Sequence, residues 1–222
     1  MQTMVPFFLY ESLGVLFLRG ILEAGLPFKH PSTPGRIVSA IHSASCAWWI
    51  SANDWNSAIA STFLYFVSDG IMHAANANPN KIMIVHHILG AVLCFAAVHF
   101  QLWEGYIPAA DITKSLIMME TTSLSVQAAF LAFQEFDFED LMTPALLHFI
   151  VIRVICVGHP IIKHFQTVRD SQSLFYYNLY AISCFLWLQQ IFWAAMWTWR
   201  LLKRLCGFTD NEAIEKEKKK VE

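Results

Sequence analysis

Along the 222 residues, apolar positions gather into runs of membrane-crossing length separated by short polar connections. A helix needs about 20 predominantly apolar residues, roughly 17 to 25, to cross the hydrocarbon layer. Scanning at about that length gives seven candidates: 5–22, 37–51, 58–77, 82–103, 107–133, 141–160 and 174–202. The first contains Glu11 and Arg19, so it reads as a signal anchor, a span, or a helix lying in the interface. The second is short, with Gly35 and Arg36 marking its start and Trp48, Trp49 and Trp55 forming an aromatic belt near its end. The last is long enough to tilt or to project from the bilayer. NANPNK (76–81) and QEFDFED (134–140) are the clearest loops, and connections this short leave no room for a second domain. No basic region precedes the first run and no small-residue cleavage site follows it, so a cleaved signal peptide is not expected.

Inside these runs the polar residues recur at helical spacing. Ser57, Ser61, Tyr65, Asp69 and His73 follow one another at four-residue steps, which sets them along one slowly drifting helix face. Thr113, Glu120, Gln127 and Gln134 recur every two turns, with Ser123 beside Glu120, while Ser39, His42, Ser43 and Cys46 share a face of the second run. With lipid outside, such stripes turn inward, where they satisfy one another or line a cavity. The Ser, Thr, Cys and Gln members are accounted for by interhelical hydrogen bonds.

Composition places these helices in a membrane. Apolar residues make up 56% and charged residues 14% of the chain, and mean hydropathy is +0.44. Soluble domains hold about 45–50% apolar and about 25% charged residues. A net charge of −2, with no recurring basic face, excludes nucleic acid as a partner. The five cysteines are odd in number and four of them lie in apolar runs, which argues against a disulfide framework. Cys206 is juxtamembrane, a free thiol or a palmitoylation site. With seven spans, one side collects Arg19, Lys29, Arg36, Lys81 and the basic residues from Arg200 onward, and the other keeps Lys163 and Arg169. That asymmetry places the C-terminus in the cytosol, although the acidic QEFDFED loop then falls on the basic side. Lys219 and Lys220, third and fourth from the final residue, match a dilysine retrieval signal read by the coat of the early secretory pathway, and so point to the endoplasmic reticulum.

The candidate chemistry centres on His86 and His87, adjacent within a run otherwise almost free of charge. Titratable side chains at membrane depth must find partners or water, which makes them functional candidates. Asp69, Glu120 and Arg153 are similarly flanked by apolar residues, and Asp69 or Glu120 could pair with Arg153 or meet a ligand. His99 and His148 read as structural or interfacial. Di-iron boxes of membrane desaturases need HxxHH or HxHH repeats, and here Met83 and Ile84 stand where the extra histidine would be. No metal is therefore expected; Asp69, His73, His86 or His87 could hold a single ion but show no diagnostic spacing.

RIVSAIHS (36–43), YFVSDGIMH (65–73), KIMIVHHILGAV (81–92), METTSLSVQ (119–127) and the Arg153 helix resemble, in order and spacing, successive blocks of the TLC-domain family, named for the TRAM, Lag and CLN proteins. The resemblance implies an all-α, barrel-like bundle of six helices around a central cavity, preceded by a further helix. It divides the chain into an N-terminal helix and loop (1–34), the TLC domain (35–202) and a lysine-rich tail (203–222). By the same resemblance His42, Asp69, His73, Glu120 and Arg153 belong to a lipid cavity, and His86 and His87 correspond to the histidine pair of the ceramide synthases. Those enzymes transfer an acyl group from acyl-CoA to a sphingoid base; a neutral imidazole could take the amine proton or carry the acyl group. The synthase motif continues with a second histidine–aspartate element, whereas here only His99 and Glu104 follow before Asp111. The chain is closer to the shorter TLC proteins, linked to membrane lipid composition. The expected function is therefore lipid binding and handling in the endoplasmic reticulum membrane, with no resident cofactor. The alternatives are an N-acyltransferase with acyl-CoA as co-substrate and, third, a cargo receptor. The partners are membrane lipids (sphingoid base, fatty acyl or phospholipid) and the retrieval coat.

Overall fold

A computed structural model describes residues 4–75, 79–102, 104 and 106–206. Lys219, Lys220 and the rest of the tail from 207 onward lie outside the described residues, as do Trp103 and part of the NANPNK loop. Every regular element among the described residues is helical. The order is α1 Met4–Gly25, α2 Thr33–Ser51, α3 Trp55–Ala75, α4 Lys81–Phe100, α5 Ile107–Thr121, α6 Ser123–Phe136, α7 Met142–Phe149, a π-helical turn Ile150–Cys156, α8 Val157–Lys163, α9 Phe165–Asp170 and α10 Leu174–Leu205.

Local chemistry explains the boundaries. Pro34 and Pro108 sit in the first turns of α2 and α5, where a missing N–H costs nothing. Asn80 caps α4 by accepting from the Met83 N–H, and Ser173 caps α10 by accepting from that of Tyr176. Asn53, Gln101, Asp137 and Gln172 turn the chain at positive φ between helices. The run 107–136 is continuous in hydropathy but bends between α5 and α6. There Thr121, Thr122 and Ser125 donate to the carbonyls three residues earlier, a competition that bends helices.

Four helical stretches are long and apolar enough to cross a membrane: Lys81–Phe100, Ile107–Phe136, Met142–Lys163 and Leu174–Arg204. α2 and α3 have similar lengths but hold Ser39, His42, Ser43, Ser61, Ser68 and Asp69, which lower their apolar character and are all buried. The bundle is inside-out in this sense. On α4, His86, His87, Gly90, Cys94 and Ala97 are buried, while Val85, Ile88, Val92 and Phe95 face outward. A periodic apolar exterior over a polar interior is the pattern that lipid as solvent requires.

One half of the bundle is solid. Ile59, Leu93, Ala97, Ile112, Leu116, Ile161 and Leu186 form a single core, contributed by the N-terminal halves of α3 and α10, the C-terminal half of α4, the middle of α5, and α8. Asp111 lies at this end, bonded to His164 at 2.8 Å and near Lys163 at 3.6 Å. It is thus remote from the histidine pair. At the opposite end a smaller cluster of Ala129, Met142 and Ala145, with Phe130, Phe133, Trp197 and Leu201 against it, leaves the middle of the bundle hollow. α1 belongs to this same body, packing on α3 and α2.

The acidic loop that disagreed with the charge asymmetry is neutralised where it lies. Glu135 accepts from the backbone N–H groups of Lys29 and His30 and from the Thr33 hydroxyl. Asp137 pairs with Lys29 at 3.3 Å, and Glu139 with Arg204 at 3.5 Å. The acids therefore match basic residues at the same end.

α8 meets α10 where Gly158 leaves room for the Trp187 ring. A Cβ on Gly158 would lie 2.4 Å from Trp187 Cζ2, and the Trp187 indole donates to the Val154 carbonyl, within the π-helical turn, at 2.8 Å. Gly158→Val is expected to destabilise the protein by roughly 1–3 kcal/mol through overpacking. Thermal unfolding in detergent checks this, and an unchanged midpoint would show that Trp187 yields freely.

Candidate functional site

A cavity of about 630 Å³ occupies the hollow half. Its wall includes Tyr65 and Phe66 of α3, His86 and His87 of α4, Glu120 of α5, Ser123 and Gln127 of α6, Arg153, and Trp193 and Trp197 of α10. Arg36, Asn80, Gln134, Met142, Arg200 and Arg204 also line it. Asn80 immediately precedes α4, Arg36 and Met142 stand at the starts of α2 and α7, and Gln134 and Arg204 near the ends of α6 and α10. All five sites share one end of the bundle, so the cavity opens there. At 1.5 Å per helical residue, His86 lies about 8 Å, Arg153 about 16 Å and Glu120 about 24 Å inward from that end.

The seam between α3 and α4 sets the histidine geometry. Gly90 has no Cβ, and one placed there would come within 2.5 Å of the Phe66 ring. Phe66 in turn meets His86 and His87 edge-on at 5.6 and 5.5 Å. This close approach brings Asp69 to His87, with Nε2 3.1 Å from Oδ2. His73, one turn beyond Asp69, reaches the same oxygen at 3.3 Å, and its ring stacks on His87. The other oxygen, Oδ1, accepts from Arg19 of α1 at 2.8 Å, and Arg19 also bonds Glu23.

Arg19, not Arg153, is therefore the cation paired with Asp69. The reason is position along the bundle: α1 and α3 run parallel, and Arg19 and Asp69 each stand six residues before the C-terminal end of their helix. Arg153 instead donates to the Thr122 hydroxyl at 2.8 Å, to the Gln190 amide oxygen at 3.0 Å and to the Ser123 hydroxyl. The bend between α5 and α6 presents both hydroxyls to it. Arg153 itself lies in the π-helical turn, whose wider spacing re-aims side chains and is frequent at functional sites.

The two histidines are held by opposite ring nitrogens. Gln189 Nε2 lies 3.3 Å from the Ile82 carbonyl, which can only accept, so Oε1 is the atom that faces His86 Nδ1 at 2.9 Å. His86 must then carry its proton on Nδ1, leaving the Nε2 lone pair free. His87 points Nε2 at a carboxylate, so its Nε2 is protonated and its Nδ1 holds the lone pair. That Nδ1 is buried without a hydrogen-bond partner among the described residues.

Of the residues expected from sequence, His86, His87, Glu120 and Arg153 form cavity wall. Asp69 and His73 stand behind His87, and His42 stands behind Tyr65, with the rings stacked at 4.2 Å. His42 also contacts Cys46, 3.4 Å from Nε2. His99 and His148 are exposed, stacked on Phe95 and bonded to Ser125 respectively. Sequence reasoning did not place Arg19, Gln189, Gln190 or the aromatic pair Trp193 and Trp197 at the site. A basic residue in the first apolar run and adjacent amides in the last were the available signals.

Asp69, His73 and His87 could also hold a metal ion, since their donor atoms all lie within 4.8 Å of one another. Two features of the donor set weigh against it. A guanidinium already balances the carboxylate, and His87 Nδ1 lacks the acceptor that usually orients a ligating imidazole. No protein-family model, curated protein or solved structure matches this chain, so the site stands on its own geometry.

Removing the charge of Asp69 leaves Arg19, whose side chain is 15% exposed, with only the half-exposed Glu23 as counter-ion, and leaves His73 and His87 facing an amide. Asp69→Asn is expected to cost roughly 3 kcal/mol, and Arg19→Met combined with Asp69→Asn to recover part of that loss. A double-mutant cycle of thermal unfolding in detergent measures both; additive single effects would show that the pair is not coupled.

Proposed function

We propose that this chain is a TLC-type, seven-span protein of the endoplasmic reticulum membrane, with its C-terminus and the open end of the cavity facing the cytosol. It holds a lipid in the cavity and so influences the composition of the surrounding membrane. The observation that carries this is the cavity itself. It is a space of about 630 Å³, within the roughly 300–1,000 Å³ of small-ligand sites, with aromatic and aliphatic side chains beside converging polar groups. Such a wall fits an amphiphile, one end apolar and the other charged or hydrogen-bonding. The orientation is supported by Lys29, Arg36, Lys81, Arg200, Lys203 and Arg204, all located around the open end.

A second reading, acyl transfer, is favoured by one specific feature, the free Nδ1 of His87 opposite its Asp69-bound Nε2. In that reaction an amine nitrogen attacks the thioester carbonyl of acyl-CoA, the new C–N bond forms and the C–S bond breaks. His87 Nδ1 takes the proton from the amine and returns it to the departing thiolate, while Asp69 steadies the imidazolium.

Protein purified in detergent is expected to retain lipid detectable by mass spectrometry. Val126→Trp, which fills the cavity from a lining position, should lower that lipid about fivefold or more without loss of monodispersity. Undiminished lipid in a well-folded Val126→Trp protein would sink the cavity reading. On the lipid-handling reading, incubation with long-chain acyl-CoA and a panel of amines releases no coenzyme A. Release that disappears in His87→Ala would establish the transferase.

A further inference from the structure

The cavity wall is unbalanced in charge. Four guanidinium groups line it, Arg36, Arg153, Arg200 and Arg204, against one carboxylate, Glu120. Arg204 shares its charge with Glu139 at 3.5 Å, and Glu120 acts electrostatically on Arg153 deep inside. Arg36 and Arg200 remain, and among the described residues neither has a carboxylate within ion-pair distance. Arg36 donates to neutral oxygens of Gln127, Gln134 and Ser32, with its guanidinium 4.3 Å over the Phe130 ring. Arg36 is largely shielded from water and is held in place by those bonds, so its charge is fixed beside the cavity and lacks a counter-ion. A charge in that position favours an anion, and guanidinium forks on two different helices suit a head with several anionic oxygens more than a single carboxylate. Inward from it, Phe130, Trp193 and Trp197 provide an apolar wall for a chain.

We propose that the cavity takes a phosphate-bearing amphiphile, its phosphate held by Arg36 and Arg200 at the open end and its chain lying along Phe130, Trp193 and Trp197 towards His86 and His87. This rests on the lipid-handling reading and names the chemical class of the occupant. The phosphate has two sources of equivalent chemistry, a lysophospholipid head or the nucleotide part of a coenzyme A ester.

The test uses the full chain in non-ionic detergent and four probes with the same dibrominated stearoyl chain: lysophosphatidic acid, the coenzyme A ester, the free fatty acid and the monoacylglycerol. Bromine quenches nearby tryptophan, so binding is read from the fluorescence of Trp193 and Trp197, with Trp193→Phe/Trp197→Phe identifying their share. One or both phosphate probes are expected to bind about tenfold or more tightly than the fatty acid and the neutral glyceride. Arg200→Glu, an exposed position where folding is not at stake, should weaken the phosphate probes about tenfold and leave the glyceride unchanged. Binding of lysophosphatidic acid identifies a lipid head as the source, and binding of the coenzyme A ester alone identifies the nucleotide. Equal quenching by the neutral and phosphate probes, or indifference to Arg200→Glu, overturns the proposal while leaving a lipid cavity standing. Quenching by none of the four overturns the lipid-handling reading as well.

Discussion

Buried charge is costly in a bundle whose exterior is Ile, Val, Leu and Phe, and much of the interior follows from how Asp69 is satisfied. Its two oxygens serve three partners from three helices: Arg19 on α1, His73 on α3 itself and His87 on α4. Each contact requires a particular depth and rotation of its helix. Losing the carboxylate itself would leave Arg19 with Glu23 alone, in a medium where the penalty is several kcal/mol per ion. The cluster therefore does more than hold α1 against the bundle. It fixes which nitrogen of His87 is protonated, and so which faces away from the carboxylate.

The division into a solid and a hollow half has an equally local origin. Where α3, α4, α5 and α10 carry Ile59, Leu93, Leu116 and Leu186, the helices close on apolar side chains. Where they carry Tyr65, His86, Glu120 and Gln190, satisfying the polar groups separates them. The bend between α5 and α6 and the π-helical turn at Arg153 occur at this transition. Both re-aim side chains towards one another, the Thr122 and Ser123 hydroxyls from one element and the guanidinium from the other. Departures from regular helix thus coincide with the cavity wall, where hydrogen-bond demand competes with the helix's own ladder.

The periodicities that are visible in one helix were legible in the sequence; the pairings between helices were not. Four-residue steps set Ser61, Tyr65 and Asp69 on one face of α3, and all three are buried. Two-turn steps likewise set Thr113 and Glu120 together, both buried on α5. The partner of Asp69 was a different matter, because Arg19 lies 50 residues away and its choice depends on the relative depth of two helices. Hydropathy alone also joins α5 to α6 and hides the bend, since Thr and Ser at 121–123 interrupt the backbone without interrupting the apolar average. The polar faces of α2 and α3 have the opposite effect. They lower the hydropathy of helices that are as long as their neighbours, so composition singles out four stretches as membrane-crossing.

Adjacency in sequence gives His86 and His87 different environments. Consecutive helical residues point about 100° apart, so His86 turns towards α10 and Gln189 while His87 turns towards α3 and Asp69. An amide oxygen holds one ring N–H and a carboxylate the other, so the pair is not two equivalent imidazoles. His87 is tied into the cluster of Asp69, Arg19 and His73, with Nε2 committed to the carboxylate. His86, fixed by Gln189 and edge-on to Trp193 at 5.2 Å, is the better placed to orient whatever lies against that face of the cavity.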